Sequence, residues 1–246
     1  MKCILYNKNV FKRNVQEADM KNCLHAPFDK QVNKILSAGY LEIIPERLKI
    51  DRKKFLDILS PLKERLNSVE YEHGNIPFLI VFPNEFLEVE KQIPLISVDG
   101  VKAVGRSFYN LRKNTDECVS DCSACNICSD CTQINEIRKP YLCIDIETDH
   151  KEKGLLQSDY ADFFKKRKRF GITLEEGVAL VLHYPGVLKK HFLEFSGSRC
   201  DDRHTPNAQY FKSYRGEFKL WFCYNYRNFA DEDFRAPSCR KRAFIE

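Results

Sequence analysis

Five of the chain's 11 cysteines crowd into the 14 residues from Cys118 to Cys131, and the gaps between them are filled mainly by Ser, Asp, Asn and Ala. Val119 and Ile127 are the only apolar anchors there. Such a stretch buries little apolar surface, so it must enter a fold as a loop organised by something other than a core. The spacing is Cys118-x3-Cys122-x2-Cys125-x2-Cys128-x2-Cys131. A Cys-x-x-Cys turn aims two thiolates at one ion, and four such sulfurs hold Zn²⁺ tetrahedrally at about 2.3 Å. Zinc ribbons separate their two knuckles by many residues, whereas only two residues lie between Cys125 and Cys128. A ferredoxin run ends in a wider gap and a proline, both missing here. The triplet Cys118, Cys122, Cys125 shares its spacing with radical enzymes that cleave S-adenosylmethionine, but Ala124 stands where those carry an aromatic. An odd, clustered cysteine count argues against a secreted disulfide scaffold. Zinc in a structural role is therefore the expectation, with an iron–sulfur cluster as the alternative; the competing reading is a solvated loop of reduced thiols.

The rest of the chain has ample material for a core, with 43% hydrophobic residues and 18 Phe. No apolar run approaches the ~20 residues of a membrane span, and Met1 to Asn9 lacks a signal-type apolar segment. A cytoplasmic protein with no membrane contact is expected. Phe28, Val32, Ile35 and Leu36 recur at helical spacing before Gly39, and Phe55, Leu56, Leu59, Leu62 and Leu66 repeat the pattern over 51–68. Pro61 should kink or split that second helix. The texture changes at Ile76, where an apolar run bracketed by Pro77 and Pro83 reads as a buried strand. Ile93 to Val104, with Asp99-Gly100 inside, reads as a hairpin, and Tyr141 to Ile146 as another strand. Asp159 to Arg169 predicts a helix with a basic end. Thr173, followed three residues later by Glu176, is a capping-box signature for an apolar helix reaching Tyr184. Alternating Phe218, Leu220, Phe222, Tyr224 and Tyr226 place antiparallel strand within 208–229. The fold class is thus α+β: a mixed or antiparallel sheet with packed helices, a helical N-terminal extension over 1–70, and a domain over 71–246 carrying the cysteine-rich insertion at 114–135.

Four segments resemble those of a bacterial family of uncharacterised proteins, a domain of unknown function. They are Tyr141-Leu142-Cys143-Ile144-Asp145-Ile146-Glu147, Ile172 to Leu180, Gly197 to Arg203, and Leu220 to Asn225 together with Ser238-Cys239. The resemblance spans about residues 76–246 and implies a shared α+β scaffold. It brings no activity with it, and the five-cysteine loop is a departure from the family pattern.

Three further constellations carry chemistry. Asp145-Ile146-Glu147-Thr148 ends a strand and is similar to the first motif of proofreading exonucleases, whose paired carboxylates hold divalent metals for attack on phosphate. The further aspartates and general base of that chemistry are not evident, and the plain alternative is a strand ending in acidic loop residues. Cys200, Cys223 and Cys239 with His204 form a possible second zinc set, or simply core packing. Lys165-Lys166-Arg167-Lys168-Arg169 and the tail Arg240-Lys241-Arg242 are candidates for phosphate contact, with Tyr214, Arg215, Tyr226 and Arg227 as stacking partners. Against this stands the overall charge pattern. Residues 115–163 carry 4 Lys/Arg and 11 Asp/Glu, whereas residues 164–246 carry 17 and 10. An acidic middle beside a basic end suits internal charge matching as well as a partner.

The sequence therefore points to a zinc-stabilised binding or adaptor module with a protein or nucleic-acid partner. Its alternatives are a metal-dependent phosphodiesterase or nuclease using Asp145 and Glu147, and a nucleic-acid binder using the basic C-terminal third. Metal quantification on protein purified without a chelating column should find about one zinc per chain. Changing Cys125 and Cys128 to Ser should remove it; metal-free wild type would contradict the expectation.

Overall fold

The computed structural model describes residues 24–105, 111–113, 139–149, 159–200, 205–213, 215–225 and 233–245. The five-cysteine segment, the surrounding insertion at 114–135 and His204 lie outside these residues.

The chain begins with helix α1 (His25–Ser37), which ends as expected before Gly39, held at φ 91°. A short helix α2 (Tyr40–Ile43) follows, then α3 (Arg52–Arg65), whose N-terminus is capped by the Asp51 carboxylate accepting from the Lys54 amide at 2.8 Å. Contrary to expectation, α3 runs through Pro61 without splitting. Phe55, Leu59, Leu62 and Leu66 are buried, while Pro61 and Asp57 are exposed. The Asp57 carbonyl that loses its donor at Pro61 therefore faces water, and continuous burial along the opposite side carries the helix past the ring. Leu56, expected on the apolar side, is exposed.

Next come β1 (Ile76–Val81), α4 (Val89–Gln92), β2 (Ser97–Val98) and β3 (Val101–Gly105). The β2–β3 hairpin turns at Asp99 and Gly100, both at positive φ, as the Asp-Gly pair predicts. The remaining elements are β4 (Leu111–Lys113), β5 (Tyr141–Ile146), α5 (Tyr160–Lys166), β6 (Phe170–Gly171), α6 (Leu174–His183), β7 (Phe192–Glu194), β8 (Ser198–Cys200), β9 (Thr205–Lys212), β10 (Phe218–Asn225), β11 (Phe234–Arg235), β12 (Ser238–Cys239) and β13 (Lys241–Phe244). The aromatic stretch expected as strand is the β9–β10 hairpin.

Two sheets organise the fold, which is α+β with mixed pairing, as the sequence indicated. One is antiparallel, ordered β1-β5-β13, with Phe78 opposite Ile144 and Cys143 opposite Arg242. The other has six strands in the order β11-β7-β9-β10-β3-β2 and is parallel only at β10–β3 and β11–β7. Helix α1 covers the free edge of β1 with a side-chain amide: Gln31 donates to the Phe78 carbonyl and accepts from the Ile80 amide, each at 2.9 Å. That pairing satisfies edge groups an extra strand would otherwise take. One core runs from α1 to β13 and includes the apolar residues of the helices before residue 70, while Tyr160 and Phe164 of α5 form a small separate cluster with Ala236. Among the described residues, no helix is long and apolar enough to cross a membrane.

Helix α6 is buried from Leu174 to Leu182, and its capping box forms as expected. Gly177 lets it approach β7: a Cβ there would stand 2.2 Å from the Phe195 ring. Phe195 is itself buried and stacked on Phe222. Gly177→Ala should therefore destabilise the protein by about 1–3 kcal/mol through overpacking, outweighing the gain in helix propensity of about 1 kcal/mol. Urea unfolding checks this, and a more stable variant would contradict the close approach.

Candidate functional site

The face of β5 turned toward α6 carries Tyr141, Cys143 and Asp145 at alternate positions, and β13 sets Arg242 beside Cys143. Two buried charge clusters are built there.

The first centres on Glu176, the third residue of α6. Its Oε1 accepts from Tyr141 Oη at 3.0 Å and Arg242 Nε at 2.6 Å. Its Oε2 accepts from Arg242 Nη2 at 2.8 Å and the Thr173 amide at 2.7 Å. Burial raises the pKa of Glu176, but Arg242, the Thr173 amide and Tyr141 outweigh it and hold the carboxyl below its ordinary range. Cys143 and Cys239 complete the cluster, and one ligand atom from each thiol and from Glu176 lies within 4.8 Å of the others. The donor set does not suit a cation. Both Glu176 oxygens are already occupied, Arg242 places a positive charge beside them, and burial followed by the Cys239 hydrogen bond pushes the Cys143 thiol well up. A protonated thiol is not a metal ligand. The cluster is a structural joint.

The second cluster centres on Asp145, fully buried and at φ 58°, a left-handed conformation that Asp tolerates better than most residues. The turn lets its side chain reach back to residues 72–75, where Oδ1 accepts from the Glu72 amide at 2.9 Å and Asn75 Nδ2 at 2.7 Å. Oδ2 meets Arg169 Nη1 at 3.2 Å and Arg240 Nε at 3.0 Å, while Arg169 also donates to the Asp145 carbonyl. Burial raises the Asp145 pKa; the Asn75 and Glu72 hydrogen bonds and the two arginines reverse that, leaving it lowered. Glu147 forms a bidentate pair with Arg167 at 2.7 and 2.8 Å and lies 3.5 Å from Arg169. Further along, Asp149 borders a shallow cleft of about 370 Å³, between His191 Nε2 at 3.8 Å and Arg235 Nε at 3.6 Å.

The sequence candidates are thus redistributed. Asp145 and Glu147 are closed by arginines. Of the basic run, Lys165, Lys166 and Lys168 are exposed, whereas Arg167 pairs with Glu147 and Arg169 is buried. In the tail, Arg242 points inward to Glu176, and Arg240, itself part-exposed, pairs with Asp145 and Glu72. Cys239 meets Cys143, which the sequence did not single out, and Cys223 Sγ lies 3.1 Å from Asn207 Oδ1 on β9. Only the backbone of Cys200 is described, paired with Leu111. Tyr141, Cys143 and Glu176 were visible as strand and cap; their joint role depends on Arg242, 66 residues beyond Glu176.

A different surface stands open on the six-stranded sheet. Leu220, Phe222 and Ala103 face the core, and their neighbours Trp221 and Val104 face outward, paired across β10–β3. Val104 is 62% and Trp221 38% exposed. The Phe211 ring packs edge-on to Trp221, with centroids 5.7 Å apart.

The family of unknown function designated DUF5701 matches residues 36–210. The chain belongs to this family. The match begins inside α1, so the helices up to residue 70 lie largely within the DUF5701 region, and it ends in β9, before Arg240 and Arg242. No curated protein and no solved structure was found to match the chain.

Both central carboxylates have folded pKa values below their unfolded ones. The stability they contribute is present above about pH 4 and is lost as pH falls through the lower folded values. Glu176→Gln should cost about 3–5 kcal/mol near neutral pH by leaving Arg242 without its counter-charge. It should also flatten the fall in stability below about pH 4; an unchanged acid profile in urea titrations would contradict this assignment.

Proposed function

We propose that this DUF5701 protein is a binding module rather than a hydrolase, with the open face of the six-stranded sheet as its working surface. The observation that carries this reading is the closure of Asp145 and Glu147 by Arg169, Arg240 and Arg167. A metal-dependent phosphodiesterase needs such carboxylates free to ligate divalent ions, and a cation entering here would meet three guanidinium groups. The apolar exposure of Val104 and Trp221, next to a well-filled core, supports the choice of surface. Zinc held by Cys118, Cys122, Cys125, Cys128 and Cys131 would stabilise the insertion of such a module; that part of the proposal rests on cysteine spacing.

Two measurements on the purified chain test the reading. Wild type should show no Mg²⁺- or Mn²⁺-dependent cleavage of DNA or RNA, and Asp145→Ala should lower Tm by about 6–12 °C by stranding the buried Arg169. Val104→Thr should shift Tm by less than about 2 °C, as befits a side chain in solvent. Cleavage abolished by Asp145→Ala, or a large loss of stability in Val104→Thr, would contradict the proposal.

A further inference from the structure

We propose that the outer face of β3, β10 and β9 binds single-stranded nucleic acid, with bases stacking on Trp221 and Phe211 and phosphates met by Lys102 and Lys219. This rests on the reading of the protein as a binding module with this surface.

Strand alternation sets the composition of the face. Ala103, Leu220, Phe222 and Ala208 point inward and are buried. The residues between them point outward: Lys102 and Val104 on β3, Lys219, Trp221 and Cys223 on β10, and Gln209 and Phe211 on β9, while Asn207 further along β9 is covered. Val104, Trp221 and Gln209 form a row across three strands, and Lys219 lies opposite Phe211 in the next row. Ser97 of β2 adds a neutral hydroxyl beside Lys102. No outward position on β2, β3, β9 or β10 is a carboxylate. Lysines placed about 7 Å along the strand from Trp221 and from Val104 give a positive border to an aromatic centre.

That combination favours one class of partner. Bases stack on exposed aromatic rings regardless of their identity, and a basic border tracks the phosphates between them. An unpaired strand presents its base faces, whereas a duplex keeps them stacked and offers grooves that admit a helix or a ribbon, neither of which projects from this face. A second copy seated on the face by a two-fold axis would set like charges together, with no carboxylate to receive them. The basic run at 165–169 is not needed, because two of its five cations are engaged internally.

Trp221 is the only tryptophan in the chain, so intrinsic fluorescence reports directly on the proposed stacking site. Titrating full-length protein with dT20 and rU20 should quench that fluorescence saturably, with affinity falling as salt rises. By anisotropy of labelled dT20, Trp221→Ala should weaken binding on the order of ten-fold or more, and Trp221→Phe should restore part of the loss. Lys102→Gln with Lys219→Gln should reduce the slope of log K against log salt by about 1.4, two contacts at about 0.7 each. Tm of each variant, measured alongside, excludes misfolding as the cause. The proposal is overturned by unquenched fluorescence, by binding that ignores these substitutions, by preference for duplex of the same length, or by sedimentation showing a dimer that Val104→Asp dissociates. A stable Val104→Thr variant together with any of these results would leave the binding-module reading standing and remove only the nucleic-acid partner.

Discussion

The structure depends on arginines buried against carboxylates between β5, β13 and the start of α6. A buried ion pair adds little net stability compared with an apolar pair of similar volume, but removing either partner strands a charge and is costly. Such pairs therefore specify arrangement. Glu176 satisfies its own helix cap while holding Tyr141 of one strand and Arg242 of another. Asp145 likewise ties β5 to the turn before β1, to Arg169 before β6 and to Arg240 before β13. One polar face thereby fixes the position of the closing strands, and those strands lie beyond the region matched by the family.

The same arrangement accounts for the charge asymmetry of the chain. The acidic middle carries Asp145, Glu147 and Asp149, and the basic C-terminal third supplies Arg167, Arg169, Arg235 and Arg240 to them. Clusters that suggest a phosphate-binding stripe or a metal-binding carboxylate pair are two sides of one internal neutralisation. Of the large apolar side chains left exposed, Val104 and Trp221 lie side by side on one face of the sheet.

Local patterns were legible in the sequence wherever one short-range rule decided the outcome. The Thr173–Glu176 cap, the Asp99-Gly100 turn, the apolar strands at 76–81 and 141–146 and the β9–β10 alternation all follow from neighbours within a few residues. Pro61 does not split α3, because its effect depends on which side of the helix faces water, and that is set by packing of the whole helix. The site was less legible. Cys239 finds Cys143 and Arg242 finds Glu176 across sequence separations that periodicity cannot see. The Gln31 amide that completes the edge of β1 was equally hidden, since a lone glutamine on a helix ordinarily reads as solvent-facing.

Asp145 and Arg169 act on each other rather than on a ligand. A double-mutant cycle with Asp145→Asn, Arg169→Gln and their combination, read by urea unfolding, tests it most directly. Strong coupling is predicted, about 1.5–3 kcal/mol, with the double variant recovering part of the stability lost in each single one. Additive losses, with no coupling between the two positions, would show that the buried pair does not organise the fold.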